Sequence, residues 1–248
     1  MKRCFILVSV IFCLIPGMFA QDFPDGTEIL KKIDENITAG NKIVVSKMIV
    51  HGRRGTRTIR SKSWIQGTEK SFTEYLAPPR EAGIKMLKLE DQLWTYYPST
   101  DRTIRISGHM LRQSVMGSDL SYEDMMEDPR LSSAYRSEVT GEETIGGRPC
   151  WMLNLTAAKE DLAYAGRKLW VDKERYIALR EERYARSGKL LKSVDIRKVE
   201  KRDGRWVPVH LIFKDELQRG EGTEFILESI QFDAEIPEYI FTKAALKR

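Results

Sequence analysis

Apolar and polar positions along this chain follow two periods. Ile29, Ile33 and Ile37 recur every four residues, behind Asp25 and ahead of Gly40. That spacing predicts an amphipathic helix. Glu28 stands three residues after Asp25, in the arrangement of a capping box. From residue 42 onward the pattern is that of strands. The candidates are Lys42–His51, Thr56–Gln66, Ser71–Leu76, Lys85–Leu89, Leu93–Tyr97 and Thr103–Ile106. After a methionine-rich stretch come Tyr135–Thr140, Cys150–Ala157, Lys168–Val171, Ile177–Tyr184, Leu190–Val199, Trp206–Lys214 and Thr223–Phe232. Turn residues separate them at Gly52–Gly55, Pro78-Pro79, Gly146-Gly147, Ser187-Gly188, Asp203-Gly204 and Gly220. Many short strands at regular spacing predict an antiparallel sandwich or barrel. No linker, repeat or low-complexity tract divides them, which favours one domain.

Several of these strands are apolar on both sides. Leu93 and Tyr97 fall on one face with Trp94 and Tyr96 on the other; Leu169 and Val171 oppose Trp170, and Phe225 and Leu227 oppose Ile226. An antiparallel sheet wet on one face would alternate apolar with polar. Both faces therefore need apolar neighbours. The opening helix covers one; the other is expected to meet a second layer, a lid or a ligand cavity.

The first twenty residues stand apart. Lys2 and Arg3 precede an apolar run from Phe5 to Ile15, then Pro16-Gly17 and Ala20. This is the layout of a secretory signal, with a core short of the roughly 20 residues that span a bilayer. Cleavage is expected after Ala20, leaving residues 21–248 as the exported domain, with a retained anchor as the alternative. Neither Cys4 nor Cys13 has the setting of a lipid-modified cysteine. Removing the segment takes the formal charge from +5 to +3, spread over both signs. Nucleic-acid binding would want clustered cations with interleaved aromatics. The one basic cluster, Arg53-Arg54 with Arg57 and Arg60, reads as a polar hairpin. Cys150 is then the lone cysteine and reads as a small buried apolar residue.

Catalytic signals are sparse. His51, His109 and His210 are not spaced as metal ligands on one element, and no phosphate loop, dinucleotide fingerprint or nucleophile elbow occurs. Ser118 with Asp119 or Asp124 suggests a hydrolytic constellation, and Asp119, Glu123 and Asp124 a cation site. The competing reading makes Ser121 a helix cap, with Asp124 in its first turn. Cofactors and metals are not expected. Four methionines, Met110, Met116, Met125 and Met126, fall within 17 residues. Flexible and polarizable, such side chains suit a surface that adapts to varied apolar partners. The segment His109–Met116, bracketed by Ser107-Gly108 and Gly117, is expected to form a helical lid, or else plain core.

The order of these elements resembles the outer-membrane lipoprotein-sorting, LolA-like family over essentially the whole exported chain. The resemblance is carried by His51–Arg60, Phe72, Tyr75-Leu76-Ala77-Pro78-Pro79, Gly83 and Leu87. Leu93–Ser99 and Arg102–Ile106 follow, then Met116-Gly117-Ser118-Asp119-Leu120-Ser121-Tyr122-Glu123-Asp124 and the ending Phe241-Thr242 with Leu246. It implies a mainly β fold: a half-open, curved antiparallel β-barrel with helices on the convex side and a helical lid. It also implies a non-catalytic periplasmic carrier of lipid or lipoprotein acyl chains, working between an inner-membrane transporter and an outer-membrane acceptor as a monomer. The apolar residues expected to touch the acyl chain are Trp94, Tyr96, Met110, Leu111, Val115 and Met116. Carriers of this family close the lid through an arginine in the strand before the Pro turn, whereas Ser71–Tyr75 has none. A protein-binding envelope module is the alternative reading.

Overall fold

The computed structural model describes residues 23–38, 40–52 and 55–248; the signal segment and Arg53-Arg54 lie outside them. The helix is α1 (Gly26–Thr38). Its first turn is capped by Asp25, whose carboxylate accepts the Thr27 N–H at 2.8 Å. Glu28 does not reach back but pairs with Lys31.

All thirteen strand segments are present. The N-terminal six are β1 (Lys42–Gly52), β2 (Gly55–Gln66), β3 (Lys70–Ala77), β4 (Lys85–Leu89), β5 (Gln92–Tyr97) and β6 (Arg102–Ile106). The C-terminal seven are β7 (Tyr135–Ile145), β8 (Arg148–Ala157), β9 (Gly166–Asp172), β10 (Ala178–Tyr184), β11 (Leu190–Arg202), β12 (Arg205–Asp215) and β13 (Thr223–Phe232). They form one sheet in the order β6-β5-β4-β3-β2-β1-β13-β12-β11-β10-β9-β8-β7. Two antiparallel meanders thus meet where β1 pairs with β13. The sheet is curved but does not close, and β6 and β7 are its edges.

Register decides which face each cover occupies, because residues directly opposite in an antiparallel pair point to the same side. Leu153 pairs with Leu169, Leu169 with Glu181, and Glu181 with Val194. Val194 continues to Phe213, Phe213 to Thr223, and Thr223 to Val50. Leu153 and Leu169 belong to the core packed under α1, with Ile29, Leu30 and Ile33. Val50 belongs to the core packed under the methionine-rich segment, with Met48, Leu93, Ile106 and Val115. Helix and lid therefore share one face of the sheet, a correction to the expected split between faces.

The opposite face is covered differently. The C-terminal tail, in two 3-10 turns (Glu238–Phe241 and Lys243–Lys247), lays Phe241, Ala245 and Leu246 on Phe72, Leu87 and Trp94. Cys150, buried and unpaired, sits with Trp170 and Leu179 on this side of the C-terminal strands. Burial holds its thiol above the ordinary pKa.

Candidate functional site

The methionine-rich segment, residues 107–126, crosses the helix-bearing face as a strap. It is not one helix. A 3-10 turn at Gly108–Arg112 and another at Val115–Gly117 lead to a short helix, α2 (Tyr122–Met126). The backbone explains the interruption. Gly108, Met116 and Gly117 take left-handed conformations, with φ of 55°, 52° and 72°, which a right-handed helix excludes. Ser121 then starts α2 with a full capping box, Ser121 Oγ accepting the Asp124 N–H and Asp124 the Ser121 N–H.

Polar groups from four strands hold the strap down. Arg57 of β2 donates to the Met116 carbonyl at 2.5 Å and to Glu81 at 2.9 Å. This arginine stands one strand away from the position where the family's own is expected. Asp119 is clamped on three sides. Its carboxylate accepts from the Thr223 hydroxyl at 2.6 Å and the Asp215 N–H at 3.1 Å, and its carbonyl accepts from Lys192 at 2.7 Å. The groups proposed for hydrolysis are thus engaged in fixing the strap. Ser118 Oγ, buried, donates to the Val115 carbonyl at 2.7 Å and meets no base.

Beneath the strap the six acyl-contact candidates divide. Met110, Leu111, Val115 and Met116 lie together with Met48, Tyr75 and Leu93. Trp94 and Tyr96 lie on the other face, under the C-terminal tail. Lys243 Nζ caps the Trp94 ring at 4.3 Å, and the Tyr96 hydroxyl donates to Asp101 at 3.2 Å. Alternation along β5 enforces this: with Leu93 facing the strap, Trp94 must face away. The six do not form one site.

Between strap and α1 lies a buried ion cluster. Arg167 of β9 bonds both Glu127 and Glu181, and Arg183 of β10 meets Glu181 at 3.0 Å and Asp124 at 3.2 Å. Tyr164 donates to Asp124 at 2.5 Å. Burial alone would raise the Glu181 carboxyl, but Arg183 and Arg167 outweigh it and hold the pKa at about 2. Since Asp124 and Glu127 belong to the strap's end, this cluster pins α2 to the C-terminal strands. The sequence signal was available but easily passed over: Arg167 and Glu181 occupy positions paired with Leu155 and Leu169, on the side that alternation assigns to the core.

Beyond the cluster an apolar cavity of about 320 Å³ opens between α1 and the sheet. Ile33 and Ile37 of α1 form its roof, with Leu131. Leu169, Ala178, Val194, Val207, Pro208, Ile230 and Phe232 form its floor. Glu181, neutralised by its arginines, and Lys42 also line it. Ile37, the last of the helix stripe, stays 40 % exposed because it overhangs this space instead of the packed core. A second recess of about 490 Å³ beside the strap is lined by Arg112, Glu123, Asp161, Lys192 and Asp215. Its charges suit water more than hydrocarbon. The cavity under α1 is the one whose walls match an acyl chain.

Among the described residues no group of three or more His, Cys, Asp or Glu is arranged to hold a metal. His51 and His210, far apart in sequence, do meet on one carboxylate, Glu224, at 3.0 and 2.8 Å. Hydrogen bonds from the two imidazoles hold that carboxyl below its ordinary pKa.

A family model described as "uncharacterized protein" matches residues 67–248. An outer membrane lipoprotein-sorting domain assigned in Vibrio parahaemolyticus superposes with a TM-score of 0.77 at 25 % identity, covering 90 % of this chain and 98 % of that one. The chain belongs to the family of that model, and its fold is that of the outer membrane lipoprotein-sorting and LolA superfamily structures. A LolA superfamily protein from Nitrosomonas europaea gives 0.73 at 24 % identity, over 90 % and 100 % of the two chains. A DUF1329 family protein from Desulfovibrio piger gives 0.80 at 24 %, over 89 % and 97 %. No curated protein matches the chain. The LolA-like sheet, open at β6 and β7, is thus shared across these chains at low identity.

Proposed function

We propose that this LolA-like protein is a non-catalytic carrier that buries a lipid or lipoprotein acyl chain in the cavity under α1. The apolar cavity of about 320 Å³ carries the reading. Its size sits at the lower end of the range for small-molecule sites, roughly 300–1,000 Å³, and suits one chain. Each methylene moved from water into such walls gains about 0.8 kcal/mol, so affinity needs no cofactor and no reactive group. The strap residues Met110, Leu111, Val115 and Met116 serve as a second apolar surface, uncovered when the latches at Arg57, Asp119 and Asp124 release. Trp94 and Tyr96 support that surface from behind, through β5.

The N-terminal segment reads as an export signal, which puts the carrier in the periplasm between a membrane donor and a membrane acceptor. No helix among the described residues is long and apolar enough to cross a membrane. Native mass spectrometry of the exported protein purified from the envelope, with lipid extraction of the same sample, tests the reading. A bound acyl species near one-to-one supports it. A protein that stays free of lipid after incubation with native lipids and lipopeptides overturns it and favours a protein-binding module.

A further inference from the structure

The open sheet has two edges, and they are not alike. β7 is bent by a bulge at Val139–Gly141. α1 also begins against it: a Cβ placed on Gly26 would stand 3.1 Å from the Ser137 carbonyl oxygen. Bulges and covering elements are common means of protecting a sheet edge. β6 has neither. It pairs residue for residue with β5, from Arg102 with Tyr97 to Ile106 with Leu93, without a break in register. No strand lies on its outer side, and its first four residues are exposed. Such a strand offers unpaired backbone N–H and C=O groups to any chain that can lie beside it.

The side chains of β6 make that offer selective. Paired residues share a face, so Arg102, Ile104 and Ile106 stand on the strap side with Tyr97, Thr95 and Leu93. Thr103 and Arg105 stand on the tail side with Tyr96 and Trp94. Neither guanidinium makes a hydrogen bond, ion pair or ring contact with any described residue. The adjacent carboxylate, Asp101, is already engaged by Lys247 at 3.2 Å and by the Tyr96 hydroxyl at 3.2 Å. Between the arginines, Ile104 stays 38 % exposed. Two free cations, one on each face, repel a basic strand and attract an acidic one. Charges at an edge also serve to keep strands away, but that role leaves the exposed Ile104 between them unexplained.

We propose that β6 accepts an extended acidic segment of a partner protein as a further strand of the sheet, held by main-chain pairing. Register sets what the segment carries. In an antiparallel addition the residue opposite Ile104 is apolar, the residue before it faces Arg105, and the second residue after it faces Arg102. The recognised order is therefore acidic, apolar, any, acidic. This surface gives the protein a docking partner and does not depend on where an acyl chain binds.

The test is an amide NMR titration of the full exported protein with the capped peptide Thr-Glu-Val-Thr-Glu-Thr and with its Lys-for-Glu counterpart. The Glu peptide is expected to shift the β6 amides and to bind at least about tenfold tighter than the Lys peptide. The double variant Arg102→Glu with Arg105→Glu, altered only at exposed positions, is expected to reverse that preference. Methylating alternate backbone nitrogens of the peptide should abolish binding for one alternation and spare it for the other, since only alternate N–H groups would face β6. Three results overturn the proposal: neither peptide moves the β6 amides, the charge swap leaves the preference unchanged in a folded protein, or both methylated peptides bind like the parent. The first and third need no variant to fold. Phosphatidylglycerol vesicles complete the comparison: a protein that binds them through these arginines and ignores both peptides uses the edge as a membrane contact, which also overturns it.

Discussion

Ala178→Phe should close the cavity without harming the fold. Ala178 lies on β10, partly buried, and faces α1 across the cavity floor. A void of about 150 Å³ accommodates a benzene ring, so the added phenyl takes roughly half of the 320 Å³ available. A chain entering the remaining space leaves about three methylenes in water. At about 0.8 kcal/mol each, the loss is about 2.4 kcal/mol, or about fiftyfold in Kd. The free protein gains contacts from the filled void, so its melting temperature should hold or rise. The assay is displacement of an environment-sensitive fluorescent fatty acid by dodecanoate. Leu217→Phe, at an exposed position beside the polar recess, serves as control and should bind normally. A folded Ala178→Phe protein with wild-type affinity would refute the placement of the acyl chain under α1.

Other consequences can be checked separately. Arg167→Met leaves Glu127 and Glu181 buried without their shared cation and should cost about 3–5 kcal/mol in urea unfolding; a loss below 1 kcal/mol would contradict the buried cluster. Glu181 has a folded-state pKa of about 2, below the ordinary 4.5. Its contribution, about 3 kcal/mol, is therefore complete above pH 5 and lost as pH falls from there toward 2, and Glu181→Gln should flatten that part of the stability profile. Thr223→Val removes the hydroxyl that clamps Asp119. It should cost about 1–3 kcal/mol and raise amide exchange across residues 110–126 more than across α1; uniform protection would argue against a latch. Trp94→Ala should free the C-terminal tail and cost about 3–5 kcal/mol, while the folded fraction still binds dodecanoate. Lost binding in a fully folded Trp94→Ala protein would return this residue to the ligand site.

The strands were legible because each is short, rich in β-branched and aromatic residues, and bounded by turn residues. Even the two-sided burial of β5 and β9 could be read, since alternation is local. What could not be read was which covering element meets which face. That depends on the β1–β13 pairing, which joins residues nearly 200 positions apart, such as Lys42 with Phe232. Trp94 and Tyr96 were grouped with the methionines because all are apolar and close in sequence. Only the tail's return onto β3–β5 shows that they serve another surface. His109–Met116 was expected as a helical lid; it forms two 3-10 turns instead, and the left-handed Met116 ends the second. Cavity residues such as Val194, Val207 and Ile230 gave no distinguishing signal, because an apolar strand residue looks the same whether it meets a side chain or an empty space.

The most direct measurement is a crystal structure of the exported protein with a fatty acid brominated at its terminal carbon, located by anomalous scattering. The account predicts a bromine peak under α1, among Val194, Ile230 and Leu169. A peak beneath the strap among Met110, Val115 and Met116, with the α1 cavity empty, would contradict it.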